Sequence, residues 1–560
     1  MQSAYARLIE GLPARSPAAA GAPARPREVQ QRVAQLPLAS PELAARELSR
    51  LLGEMRANPW SGGDRLEALE LLRAPAEQLS SAFERPLLAE SFPLPPIKAR
   101  MADLAREVHH RLGEGYALAV HELCAPAGKV PMLRGKAVTL ALLRAQQHMG
   151  LALLWSYRLY RTPPVGVWSR LHALYAFALD AGLAARAVSG SGPEGERDVR
   201  GAYLHTLLLA LCNPYRLTLR EMGDAYALTQ ALAPHCELAR GGKSGFAMRA
   251  DADSGPGYVP EEREQAQGDL LALDVAPVMH LLEQNAALLP PGADKLGFRT
   301  DRGMLEVPQA FVERLRVAWI GAAARGHARI GAQHVLDTVI GLHGLHYLLA
   351  GGQDFQAFLA RVRGAGITLS SSENAAAWAS GGESSLRAAV LSARVLDQSL
   401  GGYRLLWEPG AAVRLKVGEL VGLALPAERG DVQDWMVGLI RWLRVDDEGR
   451  LDAGVELLAR HALAVAVRTP DAQGQLRPPL RAVLLRLDDG ESLLVPSLFD
   501  RAASAVELSR PADPGDWHPQ APVQLLLPTA IGETSAAYWR IALSPMQSVK
   551  TAPLASVAAG

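Results

Sequence analysis

The spacing of apolar residues changes along this chain, and no single layer of structure can satisfy both periods. From about Arg27 to Leu238 they recur every three or four positions, the spacing of one face of a helix. The segments are Pro41 to Leu52, Asp64 to Leu72, Lys98 to Leu112, Arg134 to Tyr160, Val167 to Ala187, Arg197 to Cys212 and Leu219 to Leu232. Helix breakers separate them: Asn58-Pro59, Pro95-Pro96, Pro163-Pro164, Gly190 to Gly195 and Asn213-Pro214. Thr218-Leu219-Arg220-Glu221 has the spacing of a capping box. Short connections between amphipathic helices predict antiparallel neighbours, hence a helical bundle or a short solenoid.

In the second half of the chain the runs shorten and read as strands. Val413 to Val417, Leu420 to Leu425, Trp435 to Val445 and Ala453 to Leu458 are separated by Pro-Gly, Glu-Arg-Gly-Asp and Asp-Asp-Glu-Gly turns. Evenly spaced short strands with such punctuation predict a small antiparallel barrel. Ahead of them stands Asp397-Gln398-Ser399-Leu400-Gly401-Gly402, a D-x-S-x-x-G string between the strand-like flanks Ala393 to Leu396 and Tyr403 to Trp407. A tight glycine-containing turn there sets a carboxylate, a hydroxyl and a glycine on one small loop.

The turn Asp397 to Gly402, the V-G-x-x-x-W strand at Val437 to Trp442 and the A-G-V-E-L strand at Ala453 to Leu457 follow one another as they do in the PilZ domain, which this region resembles. The resemblance implies a six-stranded antiparallel barrel that binds the bacterial second messenger cyclic di-GMP. The family's other signature, R-x-x-x-R on the segment entering the barrel, is matched by Arg325-Gly326-His327-Ala328-Arg329. Here the two motifs are farther apart than is usual in that family, with an extra segment from about Leu345 to Ser385 between them. Part of it, Ser370 to Ser385, is rich in Ser, Gly and Ala and reads as a loop. Loop closure costs rise only logarithmically with length, so the insertion is compatible with both motifs serving one site. Arg387 and Arg394 are alternative cations for the same role.

A ligand with two phosphates and two guanines calls for planar cations. Arginine binds guanine O6 and N7 bidentately and stacks on the base, and lysine does neither well. The resemblance therefore implies a ligand set of Arg325, Arg329, Asp397, Ser399 and Gly402. The arginines would clamp purine or phosphate, Asp397 would accept from a guanine N1 or N2 donor, and Ser399 would bond a phosphate or base edge.

The expected architecture is thus multi-domain α and β, a helical bundle or solenoid followed by the PilZ-like barrel and a second small β-module. Residues 1–26, rich in Ala, Pro and Gly, are expected to be disordered. The helical domain spans 27–240, an α/β connector 241–305, the barrel 306–470 with its insertion near 345–385, and the C-terminal β-module 471–560. In that last stretch the strand-like runs are Leu480 to Leu487, Ser492 to Val495, Ala505 to Leu508, Val523 to Leu527 and Tyr538 to Ser544.

With 58 basic and 58 acidic residues the formal charge is zero, which gives no global field for DNA, RNA or an anionic membrane. Three scattered cysteines are no disulfide framework and suit a reducing compartment, and Met1 to Arg7 lack the pattern of an export signal, so a cytoplasmic location is expected. The most apolar helix, Val138 to Tyr160, is interrupted by Arg144 and His148, so no membrane insertion is expected. His121 to Cys124, His235-Cys236 and His343 to His346 lack zinc spacing, and no P-loop, H-E-x-x-H or G-x-S-x-G occurs. The chain is therefore expected to be no enzyme and to need no cofactor. Its expected function is that of a cyclic di-GMP receptor that passes ligand occupancy to a protein partner through the helical domain, in surface attachment, type IV pilus function or motility. The competing expectation is a helical adaptor whose barrel has lost its ligand.

Overall fold

The structure is a computed structural model that describes residues 3–12, 22–188, 197–241, 245–259, 270–290, 293–300, 303–321, 328–363, 389–410, 412–427, 433–471, 473–488, 490–500, 503, 505–511, 523–534 and 538–545. The chain divides into two compact units. The first takes Met1–Gly326 with Arg444–Asp447, the second His327–Leu443 with Glu448–Gly560.

Among the described residues the first unit opens with the α-helices α1 (Ala4–Glu10), α2 (Pro26–Ala34), α3 (Pro41–Ala57), α4 (Gly62–Glu84), α5 (Pro96–Cys124), α6 (Gly135–Arg158), α7 (Val167–Asp180), α8 (Val199–Leu211) and α9 (Leu219–Leu232). Packing at the centre is tight because small residues let helices approach: a Cβ on Gly113 of α5 would stand 2.9 Å from Met149 of α6. The Thr218 capping box is formed in full, its hydroxyl accepting from the Glu221 amide while the Glu221 carboxylate accepts from the Thr218 amide. One buried ion pair ties α4 to α5. Arg65 forks onto Glu122 with both bonds at 2.8 Å and donates further to the Met55 carbonyl from Nη1 and to the Asn58 carbonyl from Nη2. Four donated bonds and a paired carboxylate are what make a buried guanidinium tolerable.

Residues 1–26 do not match the expectation of disorder in the part described. Ser3 caps α1, Ala4 and Leu8 are buried, and the Tyr5 ring lies 5.5 Å from that of Phe177 with its hydroxyl 3.0 Å from His121 Nδ1. Two apolar side chains and one aromatic anchor suffice to hold a short helix whose composition alone reads as loose.

After α9 come β1 (Glu237–Arg240), β2 (Gly245–Arg249), β3 (Gly257–Val259) and β4 (Leu270–Asp274), an antiparallel sheet in the order β1-β4-β2-β3. Helix α10 (Ala276–Ala287), the hairpin β5 (Lys295–Thr300) to β6 (Gly303–Pro308) and α11 (Gln309–Ile320) complete this unit.

The second unit holds two barrels. The first is built from β7 (Ile330–Gly331), β8 (Val335–Ile340), β9 (Leu391–Ser399), β10 (Gly402–Trp407), β11 (Leu420–Ala424), β12 (Met436–Val445) and β13 (Leu451–Ala459). The order is β10-β13-β12-β11-β8-β9-β7, and β9 pairs with β10 as well, so six strands return on themselves while β7 extends the β8 edge along β9. The run Val413–Val417, expected as a strand, instead buries Val413 and Leu415 in an irregular connection between β10 and β11. Helices α12 (Gly341–Leu349) and α13 (Phe355–Arg363) follow β8, and the Ser/Gly-rich stretch Ser370 to Ser385 lies outside the described residues.

The second barrel is closed, in the order β14-β15-β16-β19-β18-β17, from β14 (His461–Arg468), β15 (Leu480–Leu487), β16 (Gly490–Pro496), β17 (Val506–Ser509), β18 (Val523–Thr534) and β19 (Tyr538–Pro545). Strand β14 pairs with β15 and β17, so the second barrel begins at His461 rather than after residue 470. One apolar cluster joins the two, with Leu342 and Leu345 of α12 packed among Val437 and Leu439 of the first barrel and Val483 and Leu485 of the second.

Candidate functional site

Strand β9 makes the site by changing face partway along its length. Ala393 and Val395 point into the first barrel and are buried. Across the hairpin, Leu405 pairs with Val395 but Arg404 pairs with Asp397, which leaves Leu396 as an extra residue in β9. Alternation along a strand would send Asp397 inward with Val395. The bulge at Leu396 turns it outward instead, beside Arg404.

A second strand then brings a cation to that carboxylate. Ile330 and Gly331 of β7 pair with Gln398 and Asp397, which sets Arg329 beside the end of β9. Arg329 Nη1 donates to Asp397 Oδ1 at 2.7 Å, joining residues 68 apart in sequence. Arg404 Nη1 approaches the other oxygen of Asp397 at 3.9 Å while its Nε and Nη2 grip Asp452 at 3.0 and 2.7 Å. The hydrogen bond to Asp452 raises the Arg404 pKa above its ordinary value against the cost of desolvation, helped by the charges of Asp452 and Asp397. The Arg404 guanidinium also stands 5.9 Å from the centre of the Trp442 ring, within cation–π range.

Glycines permit both the turn and the flat aromatic. Gly402 has φ +152°, and a Cβ there would stand 2.0 Å from the Val455 carbonyl oxygen of β13, so only hydrogen fits. A Cβ on Gly454 would meet Trp442 Nε1 at 1.9 Å; the indole lies directly over that glycine. Ser399 Oγ donates to the Gly402 carbonyl across the turn at 3.4 Å.

Of the five residues expected to bind ligand, Arg329, Asp397, Ser399 and Gly402 are brought together on this corner. Arg325 lies outside the described residues, as does Arg387. Arg394, the other alternative cation, faces Glu408 at 3.6 Å. The close approach to Gly402 is made by the protein's own backbone at Val455. Sequence reasoning gave no role to Arg404 or Asp452 and read Trp442 only as the end of the V-G-x-x-x-W strand. A signal for Arg404 was present: a two-residue turn at Leu400-Gly401 makes Ser399 oppose Gly402, and the same register sets Asp397 opposite Arg404. The contact of Trp442 with Gly454 joins β12 to β13 and has no local signal.

On this outer face two guanidinium groups and two carboxylates neutralise one another beside an aromatic ring. Such a set can hydrogen-bond a purine edge, stack on a base and exchange an internal ion pair for a phosphate. Among the described residues no group of three or more His, Cys, Asp or Glu could hold a metal ion, and no helix is long and apolar enough to cross a membrane.

Comparison with known proteins gives the same direction. Residues 27–243 match the N-terminal domain of the family described as the cyclic-di-GMP receptor FimW. Residues 246–389 and 368–463 match that family's middle PilZ domain, which takes in every strand of the first barrel. The chain is also similar to the cyclic-di-GMP receptor FimW of Pseudomonas aeruginosa, 26% identical over 541 residues that cover 87% of this chain and 86% of the relative. With both family domains matched in order across more than half of its length, and with a PilZ-type barrel carrying the D-x-S-x-x-G corner, the chain belongs to the FimW family of PilZ-domain cyclic-di-GMP receptors.

Proposed function

We propose that this chain binds cyclic di-GMP on the outer face of its first barrel and passes occupancy to a protein partner through its helical domain. What supports this reading most directly is the contact between Arg329 and Asp397, which unites the two signature segments at one corner. Without ligand, Asp397 holds the Arg329 guanidinium in place. An ion pair this exposed is worth at most about 1 kcal/mol, so a phosphate or a guanine O6 and N7 pair displaces it at little cost. Asp397 is then free to accept from the guanine N1 and N2 donors, Trp442 offers an aromatic face, and Arg404 holds Asp452 aside. Cyclic di-GMP leaves such a site unchanged chemically: this is recognition without turnover, in the cytoplasm, and the output belongs to surface attachment, type IV pilus function or motility.

Calorimetric titration of the full chain with cyclic di-GMP tests the reading. A receptor gives saturable heat with a dissociation constant of micromolar or tighter, about 8 kcal/mol. Absence of heat at high ligand concentration means instead that the barrel is a docking platform within an adaptor. The relay is tested by affinity capture on the full chain with and without ligand, where the amount of a retained protein must depend on cyclic di-GMP.

A further inference from the structure

The end of the bundle where α5 passes into α6 carries a feature that the ligand site does not use. The connection Ala125 to Arg134 ends in Met132 and Leu133, which are 96% and 95% exposed. Adjacent large apolar side chains that fully exposed are unusual on a soluble surface and mark a contact. The connection is also held firmly. Gly128 donates to the Cys124 carbonyl at 2.9 Å, Arg134 donates to the Pro131 carbonyl at 2.9 Å, and the Tyr5 ring packs so closely on Gly128 that a Cβ there would stand 2.4 Å from it.

Cations surround the apolar tip. Lys129, Arg134 and Lys136 are exposed, and Arg186, from the segment after α7, lies against Gly135 with Nη1 2.6 Å from where a Cβ would be. No acidic residue occurs between Glu122 and Asp180. Those two are themselves engaged, Glu122 by Arg65 at 2.8 Å and Asp180 by Arg240 at 3.8 Å. Arg134 caps α6 and Lys136 sits in its first turn, which has no acidic residue, so both oppose the helix dipole. Charges placed where their own helix disfavours them, without a carboxylate among the described residues to neutralise them, call for an external anion.

We propose that this tip docks the protein on an anionic lipid membrane. Met132 and Leu133 enter the boundary between headgroups and acyl chains, and Lys129, Arg134, Lys136 and Arg186 lie among the lipid phosphates. Apolar side chains at the centre with cations at the rim is the arrangement of peripheral membrane anchors, and a lipid surface offers both matching layers over a wide area. The zero net charge of the chain does not oppose this, because attraction to a charged surface acts within a Debye length of about 8 Å at physiological salt.

Co-sedimentation of the full chain with vesicles tests it, using equal parts phosphatidylglycerol and phosphatidylcholine against phosphatidylcholine alone. The expected result is sedimentation with the anionic vesicles that weakens as salt is raised. The double variant Met132→Ser, Leu133→Ser should lower partitioning by about tenfold or more. Lys129→Glu with Lys136→Glu should lower it by at least a similar factor, on anionic vesicles only. All four positions are exposed, and an unchanged melting temperature in each variant separates lost docking from lost folding. Equal sedimentation with both vesicle types, none with either, or undiminished sedimentation of the serine variant would overturn the proposal. Retention of an acidic soluble protein without vesicle binding would also overturn it and assign the tip to a protein partner. Cyclic di-GMP titration of the same variants keeps this test separate from that of the ligand site.

Discussion

Arg329 and Gly402 sit on the same corner but do different work, and substitutions should separate them. Arg329 is 42% exposed in its side chain and its pair with Asp397 contributes little to folding. Arg329→Ala should therefore leave the melting temperature close to wild type while weakening cyclic di-GMP binding by on the order of 2 kcal/mol, near thirtyfold, because a phosphate or base edge loses its charged fork. Undiminished calorimetric affinity would remove Arg329 from the site. Gly402→Ala has the opposite profile. Its Cβ would run into the Val455 carbonyl, which is backbone and cannot rotate away, so stability should fall on the order of 2 kcal/mol or more, read as a lower urea midpoint. A variant as stable as wild type would show that β10 and β13 can part without cost at this point.

At the level of elements, the β9–β10 hairpin is what aims the site. Removing the extra residue by deleting Leu396 would make Asp397 the direct successor of Val395, so that simple alternation alone keeps it outward opposite Arg404, without the bulge. The expected result is retained ligand heat with reduced stability, since the Leu396 carbonyl that accepts from the Ala332 amide is lost; loss of heat would mean that the twist of the bulge itself, and not the outward facing of Asp397, sets the site. The bulge was not legible in the sequence, whereas the hairpin was, because Gly401-Gly402 between β-branched and leucine-rich runs carries its own turn chemistry. The same contrast recurs elsewhere. The Thr218 to Glu221 capping box could be read locally and is formed, but α4 runs on to Glu84 through Pro75, past the expected end at Leu72. Pro75 is buried, so tertiary packing on α4 outweighs the local cost of a proline in the helix. Likewise β14 reads as a continuation of the first barrel because it follows β13 after Arg460 alone, and only its pairing with β15 and β17 assigns it to the second. Local chemistry was legible wherever one segment determines its own conformation; partners fixed by long-range pairing, such as Arg404 with Asp452 and Trp442 with Gly454, were not.

Across the whole molecule, both units bury imidazoles in the neutral form, and this sets how stability must respond to acid. In the first unit His109 of α5 faces His148 of α6 with Nδ1 atoms 3.0 Å apart, and its Nε2 is 3.1 Å from Ser80 of α4. Burial, with Arg158 adding repulsion, lowers the His109 pKa to about 3, and burial beside His109, Arg144 and Arg73 holds His148 well below 6.5. In the second unit His346 of α12 meets Phe355 and Phe358 edge to face, with its Nε2 3.2 Å from the Val465 carbonyl oxygen. Burial first, then the charge of Arg481, brings it to about 3 despite that carbonyl, and His343 falls to about 4 for the same two reasons. Below about 6.5 the unfolded chain takes up protons at these positions while the folded chain does not, so folding is fully supported above that pH and weakens as pH falls toward the folded values. Between pH 7.5 and 5.5 each such histidine should cost on the order of 1 kcal/mol. The measurement is the urea midpoint at the two pH values for wild type and for His346→Leu. The variant should start lower at pH 7.5, having lost the bond to Val465, yet should lose less on acidification because one group no longer titrates on unfolding. An equal loss in both proteins would mean that His346 is protonated in the folded state, and that its packing against two phenyl rings does not keep it neutral.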